Sequence, residues 1–291
     1  MSNEPMNILK CGEVLREIRK LPDDCVDVGV TSPPYNKQEK HKGWLVKNVE
    51  YHNVADKMPE DEYQKMQVAV LNELYRVIKP GGVFFYNHKI RWERGVILHP
   101  MAWIPKTEWT LRQEIIWDRR IAANIRGWRF WQVEERIYWL HKPIQDNKIG
   151  EELKSCHAKL SSIWKFSPEN KNPHPAPFPL ILPLRAIYSI MHNRQGVVID
   201  PYCGSGTTCV AAKLLGHKYI GIDISPEYIE MAKQRLQNSE TERAVCETEK
   251  ALHVISDTFA DKKHAQKHVG KFAPAHRRNG NNPPLPIGYQ K

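Results

Sequence analysis

The chain has 291 residues, of which 41% are hydrophobic, so it can bury a sizeable core, and its composition excludes a disordered protein. Lys and Arg number 43 against 33 Asp and Glu, which gives a formal net charge of +10. A surplus of this size favours a polyanionic partner such as nucleic acid, because neutralising phosphates releases condensed counterions; the alternative is a soluble basic protein.

Cysteine usage and hydropathy exclude several classes of protein. None of the six cysteines forms a CxxC pair, so neither a metal site nor a disulfide framework is expected. The first ten residues lack the apolar core of a signal peptide, and no apolar run approaches membrane-spanning length. We therefore expect a protein of a reducing cytoplasm that has no membrane partner.

Helix and strand patterns alternate in the first half of the chain. Apolar residues at helical spacing predict helices over residues 12–20 and 60–78, and short apolar runs predict strands over 26–30 and 83–86. Residues 36–59 are polar and aromatic without a clear period, which predicts a long loop of functional importance. Helix, turn and strand in this order are typical of a parallel α/β sheet.

The second half of the chain continues the alternation. Further strands are predicted at residues 111–117, 135–140, 196–199 and 218–222. Further helices are predicted at residues 184–191, 207–215 and 226–237. Residues 144–172 are polar and weakly patterned, and 173–183 are dense in proline. From about residue 257, basic residues mix with His, Gly and Pro, which predicts a disordered basic tail.

A glycine turn follows the predicted strand at residues 196–199. Its sequence is Asp200-Pro201-Tyr202-Cys203-Gly204-Ser205-Gly206. Gly204 and Gly206 permit positive φ and let the backbone approach a ligand closely. Asp223 ends the following strand, and an acid in that position suits the hydroxyls of a ribose. The unit predicts a cofactor site, with a purely structural turn as the alternative, and the absence of GxxxxGK[ST] disfavours a P-loop.

A proline elbow, Thr31-Ser32-Pro33-Pro34-Tyr35, follows the predicted strand at residues 26–30. Two prolines fix φ and make the turn rigid. Such a turn can aim two acceptors, Ser32 Oγ and the Pro33 carbonyl, at an amino group. Tyr35 offers a π face on which a planar base can stack. An ordinary strand-ending turn is the alternative, and the glycine turn in the same chain weighs against it.

The elbow and the glycine turn resemble motifs IV and I of the DNA amino-methyltransferases that modify cytosine N4 or adenine N6. The elbow comes first, an order similar to the beta group common in restriction–modification systems. Further matching segments are LYRVIKPGG (74–82), IIWDRR (115–120), EERIYWLHK (134–142), HPAPFPLILP (174–183) and IGIDISPEYIEMAKQRL (220–236). The chain departs from the family at Lys10, where an acid that contacts the cofactor adenine is common.

The resemblance implies an α/β fold with a Rossmann-like, mostly parallel sheet and helices on both faces, and S-adenosyl-L-methionine as cofactor. It places a methyltransferase domain at residues 1–256, a candidate target-recognition insertion at 143–173 and a basic tail at 257–291. Double-stranded DNA is the expected substrate, in a prokaryotic or phage cytoplasm. A cognate restriction endonuclease is an expected functional companion. The insertion is short, which favours either a short recognition sequence or a homodimer in which the second copy supplies contacts.

The resemblance also assigns roles to residues of this chain. Catalysis is expected from Ser32, Pro33, Pro34 and Tyr35, acting on a flipped base without a covalent intermediate. Cofactor contacts are expected from Thr31, Phe178, Pro179, Asp200, Pro201, Cys203, Gly204, Ser205, Gly206, Thr207, Thr208, Asp223 and Ile224. DNA contacts are expected from Lys37, Lys40, Lys42, Arg119, Arg120, Arg126 and Arg129. Trp128 and Trp131 accompany these arginines, either at the gap left by the flipped base or as core aromatics.

The identity of the target base is left open by the sequence. The Ser-Pro-Pro-Tyr form and Pro177-Phe178-Pro179 favour cytosine N4, whereas Tyr35-Asn36 is common among adenine enzymes. Two rival functions use the same fold, namely an RNA or protein methyltransferase and a DNA-binding regulator without turnover. The motif order argues against the first, and the intact elbow and glycine turn argue against the second.

Overall fold

The structure is a computed structural model that describes residues 7–36, 58–122, 127–144, 160–169 and 177–253. Its helices are α1 (Val14–Ile18), α2 (Glu60–Val77), α3 (Ile181–Met191), α4 (Thr207–Leu214), α5 (Pro226–Gln237) and α6 (Arg243–His253). Its strands are β1 (Ile8–Cys11), β2 (Val26–Thr31), β3 (Ile78–His88), β4 (Arg91–Glu93), β5 (Val96–Leu98), β6 (Thr110–Asp118), β7 (Glu134–His141), β8 (Ile163–Lys165), β9 (Val197–Asp200) and β10 (Lys218–Asp223).

Eight strands form one sheet in the order β1-β10-β9-β2-β3-β7-β6-β8, and β4 and β5 form a separate hairpin. The five strands from β1 to β3 in that order are parallel, while β7 is antiparallel to both of its neighbours. From β2 the chain continues to β3 on one side, and from β9 it continues to β10 on the other. The boundary between β2 and β9 is therefore a switch point, where open α/β sheets bind ligands at the carboxyl ends of the strands.

Both faces of the sheet are buried by helices, because side chains alternate between the faces along each central strand. On one face Phe84 and Tyr86 of β3 belong to a core that includes side chains of α1 and α2. On the other face Val83 and Phe85 belong to a core that includes side chains of α3, α4 and α5. This two-sided architecture is the fold that the sequence predicted.

Two predicted elements, α3 and β3, begin at other residues than the sequence predicted, for local reasons. Helix α3 begins at Ile181 and includes Pro183, which the first helical turn tolerates because its N–H is unpaired there in any case. Strand β3 begins at Ile78. Its pairing with β2 shifts register between Val26 and Val28, and Gly81, with a φ of 80°, lets the β3 backbone follow this shift without ending the strand.

The sequence did not predict the β4–β5 hairpin, helix α6 or the strands β1 and β8. The two strands are short edge strands with three or four residues each, too few to show a period. Helix α6 buries the polar residues Glu249 and His253 beside Cys246, so its inner face does not read as an apolar stripe. Arg185 of α3 makes this burial possible by donating two hydrogen bonds to Glu249, at 2.7 and 2.9 Å.

Among the described residues, the structure contains no helix long and apolar enough to cross a membrane. The predicted tail at 257–291, and residues 145–159 and 170–173 of the predicted insertion, lie outside the described residues. The domain boundaries therefore stay predictions.

Candidate active site

The proline elbow and the glycine turn meet at the carboxyl edge of the sheet. Their strands, β2 and β9, are parallel neighbours in which Gly29 pairs with Ile199. Asp200 joins the two turns, because it accepts a hydrogen bond of 2.6 Å from Thr31 Oγ1 and another of 2.6 Å from Thr208 Oγ1. Two segments that are 169 residues apart in sequence are thus in direct contact.

Asp200 lies behind the glycine turn. Its side chain is 1% exposed, and its carboxylate also accepts the Tyr202 backbone N–H at 3.1 Å. Burial raises the pKa of Asp200 to about 6, against the opposing effect of its hydrogen bonds from Thr208, Thr31 and Tyr202. In this geometry Asp200 acts on a ligand through the turn that it holds, and a direct cofactor contact stays a prediction.

The glycine turn has the left-handed backbone that the sequence predicted. Gly204 has a φ of 49° and Gly206 a φ of 79°, a conformation that disfavours residues with a Cβ. A Cβ on Gly206 would also lie 2.8 Å from Cβ of Ala232 in α5. Gly206 is the residue before α4, so the turn brings the amino end of this helix, with its partial positive charge, to the edge of the sheet.

Asp223 closes the other side of the turn. Its carboxylate accepts the backbone N–H groups of Gly204 and Ser225, both at 2.9 Å, and burial raises its pKa. Ile224 follows with a half-exposed side chain, which offers an apolar surface beside the acid.

The remaining predicted cofactor residues are buried around the turn. Thr207 Oγ1 accepts a hydrogen bond of 2.7 Å from Arg235, and Phe178 lies in the same hydrophobic cluster as Cys203. The predicted cofactor residues that are buried here are Phe178, Pro179, Pro201, Cys203, Ser205, Thr207 and Thr208. A hydrogen bond with Cys209, together with burial, raises the pKa of Cys203, which fits a packing role for this thiol.

At the elbow, a polar network surrounds the Ser32 and Tyr35 hydroxyls, which are hydrogen-bonded to each other. Tyr35 donates to Glu135 Oε2 at 3.0 Å. Nδ2 of Asn87 lies 2.9 Å from the Tyr35 hydroxyl, 2.9 Å from Glu135 Oε2 and 3.3 Å from Ser32 Oγ. Arg119 completes the network, with Nη1 at 3.3 Å from Glu135 Oε1.

The prolines of the elbow are supported from the α2 side. The Tyr63 hydroxyl donates to the Pro34 carbonyl at 2.8 Å and lies 2.7 Å from Nε2 of His88. Burial lowers the pKa of His88 to about 3, so this imidazole is neutral at physiological pH. The His88 ring packs on Tyr35 with centroids 4.8 Å apart, which fixes the plane of the tyrosine.

The residues predicted to contact DNA fall into three groups. Arg119 is buried and paired with Glu135, a position unlike that of a surface arginine. Arg120 is exposed, and Arg129 stacks on Trp92 at 4.1 Å from the ring centroid. The others, Lys37, Lys40, Lys42 and Arg126, lie outside the described residues.

The connection between β6 and β7 exposes three large aromatic side chains. Trp128 and Trp131 are more than half exposed, and Phe130 is 98% exposed. The connection ends at β7, whose second residue is Glu135, so these aromatic residues precede a residue of the elbow site in sequence. Exposed apolar clusters of this kind mark interaction surfaces.

Sequence reasoning missed Asn87 and Glu135. Asn87 lies near the carboxyl end of β3, beside β2, and the parallel order of the strands was a signal that could have found it. Glu135 enters the site from an antiparallel strand, and only the order of strands in the sheet reveals its position.

Residues 26–234 match the family model described as DNA methylase, which covers the N6 and N4 methyltransferases. The chain belongs to this family. Membership confirms the predicted recognition, fold class and enzyme class, with S-adenosylmethionine as cofactor and DNA as substrate.

Curated relatives and solved structures agree with this assignment. The chain is 28% identical over 247 residues to the type II methyltransferase M.HpaI of Haemophilus parainfluenzae, covering 79% of this chain and 74% of that protein. It is 26% identical over 257 residues to M.HinfI of Haemophilus influenzae, covering 81% and 69%. Its fold is similar to that of the cytosine-N4-specific PvuII DNA methyltransferase, with a TM-score of 0.63, 18% identity and coverage of 84% and 93%.

Proposed function

We propose that this enzyme transfers a methyl group from S-adenosylmethionine to the exocyclic amino group of a base flipped out of duplex DNA, with cytosine N4 as the favoured target. The observation that carries the proposal is the hydrogen-bonded contact of the proline elbow with the glycine turn through Asp200. This contact puts a rigid set of acceptors beside a cofactor cradle at the switch point of the sheet.

The glycine turn is the proposed cradle for the cofactor. Its fit is supported by the left-handed Gly206, where a Cβ would collide with α5, and by the amino end of α4 beside it. Asp223 would accept the ribose hydroxyls, and Ile224 would contact the adenine. When bound, S-adenosylmethionine supplies an electrophilic methyl carbon, so the amino nitrogen can attack directly and no covalent enzyme–base adduct is needed.

The elbow is the proposed site for the amino group. Ser32 Oγ and the Pro33 carbonyl would accept its two protons, since the Pro34 carbonyl already accepts the Tyr63 hydroxyl. With its protons held there, the nitrogen directs its lone pair at the methyl carbon. The Tyr35 ring, which packs on His88, would stack on the base.

Flipping the base costs a few kcal/mol of stacking and pairing. Stacking on Tyr35 recovers on the order of 1–3 kcal/mol of this cost. The exposed Trp128, Phe130 and Trp131 would stack in the gap that the base leaves in the duplex.

Phosphate contacts are assigned to the basic residues around the site. On the described surface these are Arg120 and Arg129, and we place Lys37, Lys40, Lys42 and Arg126 with them because of their charge. Arg119, which is buried and pairs with Glu135, would act on the site from the protein interior. The basic tail at 257–291 would add affinity that does not depend on sequence.

Specificity and partners belong to the same proposal. The insertion at 143–173 is short, so a second copy of the chain would supply part of the recognition surface. A cognate restriction endonuclease would act as the functional companion, in a prokaryotic or phage cytoplasm. Adenine N6 is the alternative target, because both bases present an aromatic amine to the same acceptors.

The test uses tritiated S-adenosylmethionine with duplex DNA, tRNA and protein as acceptors. We expect label on DNA, and mass spectrometry of the digested nucleosides to identify N4-methylcytosine. N6-methyladenine instead would correct the target base. Label on RNA or protein alone would overturn the proposed substrate, and the absence of label on all three would favour a regulator.

A further inference from the structure

Glu135 is a buried carboxylate below the elbow. It is 7% exposed and lies near the start of β7, which is antiparallel to β3. Oε2 accepts hydrogen bonds from Tyr35 at 3.0 Å and from Asn87 at 2.9 Å, and Oε1 lies 3.3 Å from Arg119. A carboxylate so placed is bonded to the elbow on one side and to a cation on the other.

The chemistry of these groups fixes the direction of the hydroxyl protons. A carboxylate only accepts, so the Tyr35 proton is directed at Glu135. The Tyr35 oxygen must then accept from Ser32, to which it is hydrogen-bonded. Asn87 Nδ2 only donates, and its contacts with Tyr35 and Glu135 support the same arrangement. Ser32 Oγ accepts from Asn87 at 3.3 Å and keeps its second lone pair for the site.

We propose that Glu135, acting through Tyr35, sets the direction in which the Ser32 hydroxyl donates its hydrogen bond. We propose also that Glu135 receives the proton that the base amino group loses. This inference rests on the proposed function, and it gives a positioning role and a proton-accepting role to a residue outside the elbow and the glycine turn. The simpler alternative is that Glu135 serves only as the counter-ion of the buried Arg119.

The step balances along this chain of hydrogen bonds. The amino nitrogen forms a bond to the methyl carbon, the carbon–sulfur bond breaks, and its electron pair stays on sulfur. The nitrogen then loses one proton to Ser32 Oγ, while the Ser32 proton moves to the Tyr35 oxygen and the Tyr35 proton moves to Glu135. The carboxyl becomes neutral and later returns the proton to solvent.

The test compares Glu135→Gln with Glu134→Gln in single-turnover methylation of duplex DNA. A glutamine keeps the Tyr35 hydrogen bond but cannot take a proton, so we expect a rate loss of about 10²–10⁴-fold. The dissociation constants for cofactor and DNA should stay within about threefold of wild type. Glu134→Gln is the matched control, since neighbouring strand residues point to opposite faces and its rate should be unchanged. A Glu135→Gln rate equal to wild type overturns the inference.

A second variant keeps the test independent of the buried ion pair. Tyr35→Phe leaves Glu135 beside Arg119 but cuts the chain to Ser32, so it should show a similar rate loss. The double variant should be no slower than the slower single variant, because both changes break one pathway. Additive losses would overturn the inference, as would a Tyr35→Phe rate near wild type.

The pH–rate profile separates proton acceptance from structure. Glu135 faces Arg119, Tyr35 and Asn87, and the nearby His88 is neutral because burial lowers its pKa to about 3. With both substrates saturating, the acidic limb of the pH–rate profile should differ between wild type and Glu135→Gln. An identical limb in both proteins overturns the inference. If wild type labels no DNA at all, the proposed function fails instead, which distinguishes the two outcomes.

Discussion

Replacing Asp200 by Asn should change how stability depends on pH. Asp200 is fully buried, and its pKa rises from 3.8 to about 6 on folding. The folded state therefore binds this proton more tightly than the unfolded chain does. The contribution of Asp200 to stability is fully present below pH 3.8 and is lost as pH rises through about 6. A shift of this size corresponds to about 3 kcal/mol.

The assay is chemical denaturation of wild type and Asp200→Asn at intervals from pH 4 to pH 8. An amide carries no charge at any of these values, so the variant lacks the titration while keeping the acceptor for Thr31. We expect the stability of wild type, relative to the variant, to fall by about 2.4 kcal/mol between pH 4 and pH 8, because a small part of the effect is already lost at pH 4. Titrating groups that do not interact with Asp200 cancel in this difference. A difference that is constant from pH 4 to pH 8 would refute the reasoning.

Four further substitutions test the site. Tyr35→Ala should lower single-turnover methylation by more than Tyr35→Phe does, about 10–100-fold further, because it removes 1–3 kcal/mol of stacking as well as the hydroxyl, with an unchanged cofactor dissociation constant by calorimetry. Asp223→Ala should weaken cofactor binding about tenfold or more, and an unchanged constant would remove it from the site. Gly206→Ala should lower the unfolding free energy by at least about 1–2 kcal/mol, because its φ is 79°; equal denaturation midpoints would contradict this. Phe130→Ala should slow methylation of paired DNA and recover on a mispaired target base, whereas Leu252→Ala, exposed on α6, should do neither.

Much of the fold followed from the sequence because the central elements carry strong periodic patterns. The helix predicted at residues 226–237 is observed at Pro226–Gln237, and the strand predicted at 218–222 is observed at Lys218–Asp223. The sheet edges did not follow, since β1 and β8 are stabilised by pairing with neighbours and carry little pattern of their own.

The site divides in the same way. Turn chemistry is local, so Gly206 and the elbow prolines could be placed from their neighbours in sequence. The partners of the elbow are non-local, because Glu135 is 100 residues from Tyr35 and Asn87 is 52 residues from it. Arg119 was grouped with the surface arginines because of its charge. Composition could not show that it is buried, because its burial depends on the ion pair with Glu135.

The elbow is held at both ends by buried carboxylates from opposite sides. Asp200 on β9 accepts from Thr31, the first residue of the elbow, and Glu135 on β7 accepts from Tyr35, the last. Tyr63 holds the Pro34 carbonyl between them. Burying Asp200 costs about 3 kcal/mol at neutral pH, and the same carboxylate joins the elbow to the glycine turn.

The consequence is a fixed spacing between the acceptors for the amino group and the cradle for the cofactor. Direct displacement at a methyl carbon depends on such alignment, and an error of about 1 Å can lower a rate by about 100-fold. The two carboxylates sit on either side of β2, so displacing either one shifts one end of the elbow. Structural loss at Asp200 and proton-transfer loss at Glu135 should therefore differ in pH dependence while both lower the rate.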